Sequence, residues 1–213
     1  MNRRPALAAA VFLVAVSSSS LGIENWKTET RRFGPNGTVE VRMPAGDVHI
    51  SQASAEVFLR YAIKGANPPD TSRVQLRFET KQSTVRIQFD APVGTTINAE
   101  VGVPSPTNLR VHLESGYVRL DDLPGNREVN VGVGDIGVRL SPAPDDEYRE
   151  ILIHTHLGSI LQTGFGQIEG QIQGWFGKSL QHRGEGHYRM ELRTGIGNIE
   201  LRSTPFPSFP AQN

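Results

Sequence analysis

Gly132-Val133-Gly134-Asp135-Ile136 returns as Gly164-Phe165-Gly166-Gln167-Ile168 and again as Gly195-Ile196-Gly197-Asn198-Ile199, with starts 32 and then 31 residues apart. A fixed period of this size marks a repeat architecture. A looser form, glycine followed by alternating apolar residues, occurs at Gly37-Thr38-Val39-Glu40-Val41, Gly46-Asp47-Val48-His49-Ile50 and Gly116-Tyr117-Val118-Arg119-Leu120. Each glycine supplies a backbone conformation barred to residues with a Cβ. The two apolar side chains after it share one face of a short strand. Stacked units of this kind bury a narrow apolar column that no single unit buries alone. Between copies the polar position varies (Asp135, Gln167, Asn198) while the glycines and the isoleucine stay. A calcium-binding glycine–aspartate repeat needs a carboxylate in register in successive coils. Two of the three copies lack it, so the phrase repeats a turn and not a ligand.

Away from the glycines the periodicity is two. Thr38-Val39-Glu40-Val41-Arg42-Met43, Arg73-Val74-Gln75-Leu76-Arg77-Phe78 and Thr84-Val85-Arg86-Ile87-Gln88-Phe89 alternate strictly, as half-buried strands do. Gly34-Pro35-Asn36-Gly37 reads as a turn, because Asn-Gly tolerates positive φ. A helical turn fits only between Pro144 and Ile153, where Asp145-Asp146-Glu147 suits a helix N-terminus. The expected fold is all-β: a single-chain β-solenoid of short strands with glycine turns, with a β-sandwich as the alternative.

The bulk numbers narrow the function. Among 213 residues, 22 basic and 22 acidic side chains give zero formal net charge, which argues against a nucleic-acid binder. The absence of cysteine excludes disulfides and zinc–thiolate sites. Arg3-Arg4, the apolar run Ala6 to Val16 and Ser17-Ser18-Ser19-Ser20-Leu21-Gly22 have the layout of a secretory signal peptide. Those eleven apolar residues rise only about 16 Å as a helix, roughly half of a bilayer core. The division expected is a signal peptide over 1–22, a lead-in over 23–36, the solenoid over 37–202 and a proline-rich tail over 203–213. The chain is expected to be exported, to the periplasm or the cell surface, with no stable transmembrane span after cleavage.

Candidate chemistry is sparse. His154-Thr155-His156 places two imidazoles on one strand face, and His182 or His187 would have to supply a third ligand. Solvent-facing histidines are the simpler reading, so no metal and no cofactor is expected. Asp121-Asp122 and Asp145-Asp146-Glu147 are the clustered carboxylates, and their proline-flanked turns read as solvated loop charge rather than catalytic residues. Trp175-Phe176 must point to opposite faces of a strand, exposing one aromatic that suits a sugar ring or a protein contact. Together with Tyr188 it forms the expected interaction surface.

Val103-Pro104-Ser105-Pro106-Thr107-Asn108-Leu109-Arg110-Val111, then Glu114-Ser115-Gly116-Tyr117-Val118-Arg119-Leu120 and Val129-Asn130-Val131-Gly132-Val133-Gly134-Asp135-Ile136, run in an order that resembles the bacterial putative-adhesin (toastrack-like) domains. There a proline-ended strand precedes repeated Ser-Gly-Asp-Ile/Val turns. Here Tyr117, Ser159, Gln167 and Asn198 replace the usual acidic residue. The resemblance covers about Thr38 to Leu201. It implies a β-solenoid of the bacterial envelope, without catalytic residues, that adheres to or scaffolds an envelope protein or surface polymer. A carbohydrate-binding module using Trp175 and a polysaccharide-cleaving β-helix enzyme are the rival functions.

Overall fold

The computed structural model describes residues 26–34, 36–65, 71–141, 143–163 and 177–203. The expected signal peptide, the copy at Gly164–Ile168, Trp175, Phe176 and the tail beyond Ser203 lie outside the described residues. The described residues are all-β, as expected: thirteen strands among them hydrogen-bond into one sheet. They are β1 (Lys27–Arg32), β2 (Thr38–Ala53), β3 (Glu56–Gly65), β4 (Gln75–Lys81), β5 (Thr84–Asp90), β6 (Thr95–Pro104), β7 (Asn108–Leu120), β8 (Arg127–Arg139), β9 (Tyr148–Leu157), β10 (Ile160–Thr163), β11 (Lys178–His182), β12 (Tyr188–Ile196) and β13 (Ile199–Arg202). The helical turn is present as α1, but it stops at Pro144–Glu147, and β9 takes over from Tyr148.

Strands β2, β7 and β8 each bend at a glycine into two arms. Elsewhere the two arms are consecutive strands: β5 and β6, β12 and β13, β9 and β10. These coils stack in parallel in the order β5–β6, β2, β7, β8, β12–β13, β9–β10. Antiparallel β3 and β1 continue the sheet beyond β6, while β11 lies beyond β9. The stacking order is not the chain order. The coil carrying Gly197 sits between those carrying Gly134 and Gly158, so β12 separates β8 from β9.

The glycines fall in one column at the bend. Gly46, Gly116, Gly134, Gly197 and Gly158 have φ of 129°, 134°, 137°, 145° and 153°. At each, a Cβ would overlap a neighbouring carbonyl oxygen: that of Ile97 for Gly46, Gly46 for Gly116, Gly116 for Gly134, Gly134 for Gly197, and Gly197 for Gly158. Both the conformation and the close approach demand glycine. Toward the far end of the stack two buried threonines complete the column. Thr194 Oγ1 donates to the Gly134 carbonyl and Thr155 Oγ1 to that of Gly197, both at 2.8 Å. After the Gly134 and Gly197 turns the polar residue links coils as well. Asp135 Oδ1 accepts the Asn198 backbone N–H, and Asn198 Oδ1 accepts that of Ser159. That is the physical role of Asp135 and Asn198 at the variable position of the repeat.

Inward residues stack in straight columns between the arms. Ala99, Val48, Val118, Ile136, Ile199 and Ile160 form one on the second arm. Ile87, Val41, Val111, Val129, Leu192 and Ile153 form one on the first. All belong to a single buried cluster extending from Phe33 to Leu201. Ile199 is fully buried, so Ile199→Ala should cost about 2–5 kcal/mol in chemical denaturation. Gly134→Ala adds backbone strain to a clash with neighbouring main chain and should cost about 3 kcal/mol or more. A midpoint unchanged in either variant would contradict the column.

Candidate functional site

Apart from the bend, the columns facing away from the core are what the stack presents to solvent. On the first arm the outward register pairs Arg86 with Glu40, Glu40 with Arg110, and Arg110 with Glu128. Glu40 receives Arg86 at 3.0 Å and Arg110 at 3.4 Å, and Arg110 also reaches Glu128 at 3.7 Å. Further along, Arg189 bridges Glu150 and Glu191, each at 3.2 Å, and Arg193 also holds Glu191. Exposed pairs of this kind add little stability singly. As a lattice they fix the outward side chains in place.

Two shallow grooves lie side by side on this face. One of about 410 Å³ is lined by residues including Glu40, Arg42, Arg110, His112, Glu128 and Asn130. The other, of about 390 Å³, shares Arg110 and Glu128 and adds Asn108, Asn126, Arg149 and Arg189. A side-chain amide ladder floors the second: Asn126 Nδ2 donates to Asn108 Oδ1 at 2.9 Å, and Asn126 Oδ1 accepts the Arg189 backbone N–H at 2.9 Å. Sequence reasoning passed over these residues because each is an ordinary polar residue on an outward strand position. Only stacking joins them.

The histidines divide between faces. His154 and His156 are exposed on the outer face of β9, whereas His182 is turned to the core side of β11 against Asp145. His187 precedes β12 at the end where Tyr188 pairs with Tyr148, remote from His154 along the strand. Among the described residues no group of three or more His, Cys, Asp or Glu could hold a metal ion.

The carboxylate clusters are less uniform than loop charge would be. Asp121 accepts His49 Nε2 at 2.8 Å, with Arg119 and Arg139 at 3.6 and 4.0 Å. Asp122 and Glu147 come together at the loop end of the stack, lining a depression of about 440 Å³ with Gln52, Asp146, His187 and Tyr188. Tyr188 is half-buried there, edge-on to Tyr148 with ring centroids 6.4 Å apart. Beside this cluster Arg127 occupies an inward position, 2% exposed, in the column that Leu109 and Met190 continue. Its guanidinium makes no hydrogen bond to the described residues and lies over the Tyr148 ring at 5.3 Å. The signal was in its phase, since Arg127, Val129 and Val131 share one strand face.

Burial pushes the Glu147 carboxyl above its ordinary 4.5, against the pull of Arg127 and helped by Asp122. Burial likewise raises the Tyr148 phenol.

No protein-family model matches this sequence, and no curated protein matches it. Among solved structures, the chain is similar to a putative cell adhesion protein from Clostridium sporogenes at 16% identity and a TM-score of 0.48, covering 84% of this chain and 99% of that one. It is similar to a putative adhesin from Bacteroides fragilis at 8% identity and a TM-score of 0.27, over 84% and 97% of the two chains. A putative lipid binding protein from Parabacteroides distasonis matches at 10% identity and a TM-score of 0.24, over 85% and 95%. Proteins named as bacterial adhesins, the family whose turns this sequence resembles, are among the solved structures it is similar to, at low identity. None of these names denotes an enzyme. Among the described residues no helix is long and apolar enough to cross a membrane.

The Glu147 shift sets a pH dependence. A carboxyl raised in the folded state contributes stability that is fully present below its unfolded value and lost as pH rises through the folded one. Glu147→Gln keeps the neutral shape. The Tm of Glu147→Gln minus that of the wild type should therefore grow as pH is raised from about 4.5 toward neutrality. A constant difference would show the carboxyl to be fully solvated.

Proposed function

We propose that this chain is an exported, non-enzymatic interaction protein of the bacterial envelope that adheres to or scaffolds its partner. On this reading it binds through the outer face of its first arms. One observation carries the reading: the two adjoining grooves on that face share Arg110 and Glu128, making one continuous polar surface over neighbouring coils. Such a surface suits an extended partner, because contacts repeat with each strand at about 4.8 Å. Export rests on Arg3-Arg4 and the apolar run from Ala6 to Val16. Tyr188, half-buried in the loop-end depression, is a second contact point in the proposal.

Co-sedimentation with isolated bacterial envelopes tests the face directly. The chain from residue 23 onward should pellet with them. Arg110→Glu reverses the charge between Glu40 and Glu128 and should weaken binding about tenfold, an effect of about 1.4 kcal/mol. Its circular dichroism should match the wild type, since Arg110 is exposed. Undiminished pelleting of Arg110→Glu would remove the face from the function.

A further inference from the structure

Next to the self-neutralised lattice runs a row of different character. Register places Arg42 beside His112, His112 beside Asn130, Asn130 beside Arg193, and Arg193 beside His154, so β2, β7, β8, β12 and β9 each contribute one residue. The row contains no carboxylate. Among the described residues, Arg42, His112 and His154 have no side-chain hydrogen-bond or ion-pair partner, Asn130 reaches Glu128 at 3.5 Å, and Arg193 shares Glu191 with Arg189. The acids of the adjoining row, Glu40, Glu128 and Glu191, are held by arginines.

Toward the bend the surface drops and then rises. Gly132 and Gly195 form a bare step, because a Cβ on either would lie 2.5 Å from a backbone carbonyl oxygen of the neighbouring coil. Glu114 stands at the β7 end of that step, exposed. Beyond it Val133, Ile196 and Leu157 are register neighbours, and they are 50%, 51% and 50% exposed. Three large apolar side chains held side by side in solvent form a ridge parallel to the donor row.

We infer that this face is a binding track for an acidic polysaccharide, a linear chain of carboxylate-bearing sugars laid along the stacking axis. The inference rests on the interaction face proposed above and specifies its occupant. Charge complementarity selects the carboxylates: a row of donors and cations without an acid faces them. The advance of about 4.8 Å per strand is comparable to that of one sugar ring in an extended chain. The ridge supplies what a bare polyanion would not use, an apolar flank for the C–H face of the ring. A partner β-strand fits less well, since it pairs with a sheet edge rather than crossing a sheet face.

Affinity electrophoresis of the folded chain through gels containing polygalacturonate or alginate reads the interaction, with dextran and polyphosphate as comparators. Both uronate polymers should retard the wild type and dextran should not. The Arg42→Ala/Arg193→Ala variant should lose about tenfold in affinity, as expected for two exposed charge contacts. Ile196→Ser should weaken uronate binding severalfold without changing any retardation by polyphosphate. The inference is overturned if neither uronate retards the wild type, if the double arginine variant binds unchanged, or if polyphosphate is held as tightly and Ile196→Ser has no effect. Envelope binding lost in Arg110→Glu, combined with no uronate binding, would sink the polysaccharide and leave the interaction face standing. Envelope binding that survives in Arg110→Glu would remove the face itself.

Discussion

The approach of each bend glycine to the carbonyl of the coil beneath governs this molecule. Because Gly46, Gly116, Gly134, Gly197 and Gly158 stand in one column, the five coils that carry them turn at the same height. The two apolar residues after each glycine then fall into register automatically. A side chain at any of these points would push two coils apart and shift the residues above it off their column. The core is thin and ordered because the corner is exact, and the corner is exact because nothing larger than hydrogen fits there.

Much of this was legible in the sequence. Alternation placed Val39, Val41, Val85 and Ile87 inward, and all are buried. The glycines marked the bends, and Asn36 has the positive φ that its Asn-Gly pair announced. What the sequence hid depends on contacts between distant residues. Equal spacing of the repeats invites a picture of coils stacked in chain order, but β12 pairs with both β8 and β9. Local pattern carries no information about which parallel neighbour a strand selects when all neighbours offer similar columns. The donor row is hidden for the same reason: Arg42 and His154 belong to it only through three intervening strands. Arg127 is the exception, visible in phase yet easily read as an outward charge.

The two ends of the first arm differ in kind. At the loop end, Arg127 is buried over the Tyr148 ring, and burial raises both the Glu147 carboxyl and the Tyr148 phenol. On the outer face the charges are exposed, paired along rows and individually weak. Burial makes the first cluster sensitive to any one substitution. Repetition makes the second tolerant of most, since a surface built from many equivalent positions loses only a fraction when one changes. A protein that grips an extended partner gains from the second design.

The insertion of β12 between β8 and β9 also sets the order in which this fold can be assembled. Strands β2, β5, β6, β7 and β8 pair among themselves and can close as soon as Arg139 has been made. Strand β9 comes next in the chain, yet the edge of β8 is reserved for a segment that starts at Tyr188. Until then β9 and β10 lack the parallel neighbours, β12 and β13, that they have among the described strands. Long-range pairing of this kind is slow, because loop closure precedes the contacts that reward it. The last-made coil therefore works as a keystone: it enters the middle of the stack, and the coil made before it becomes the outer course.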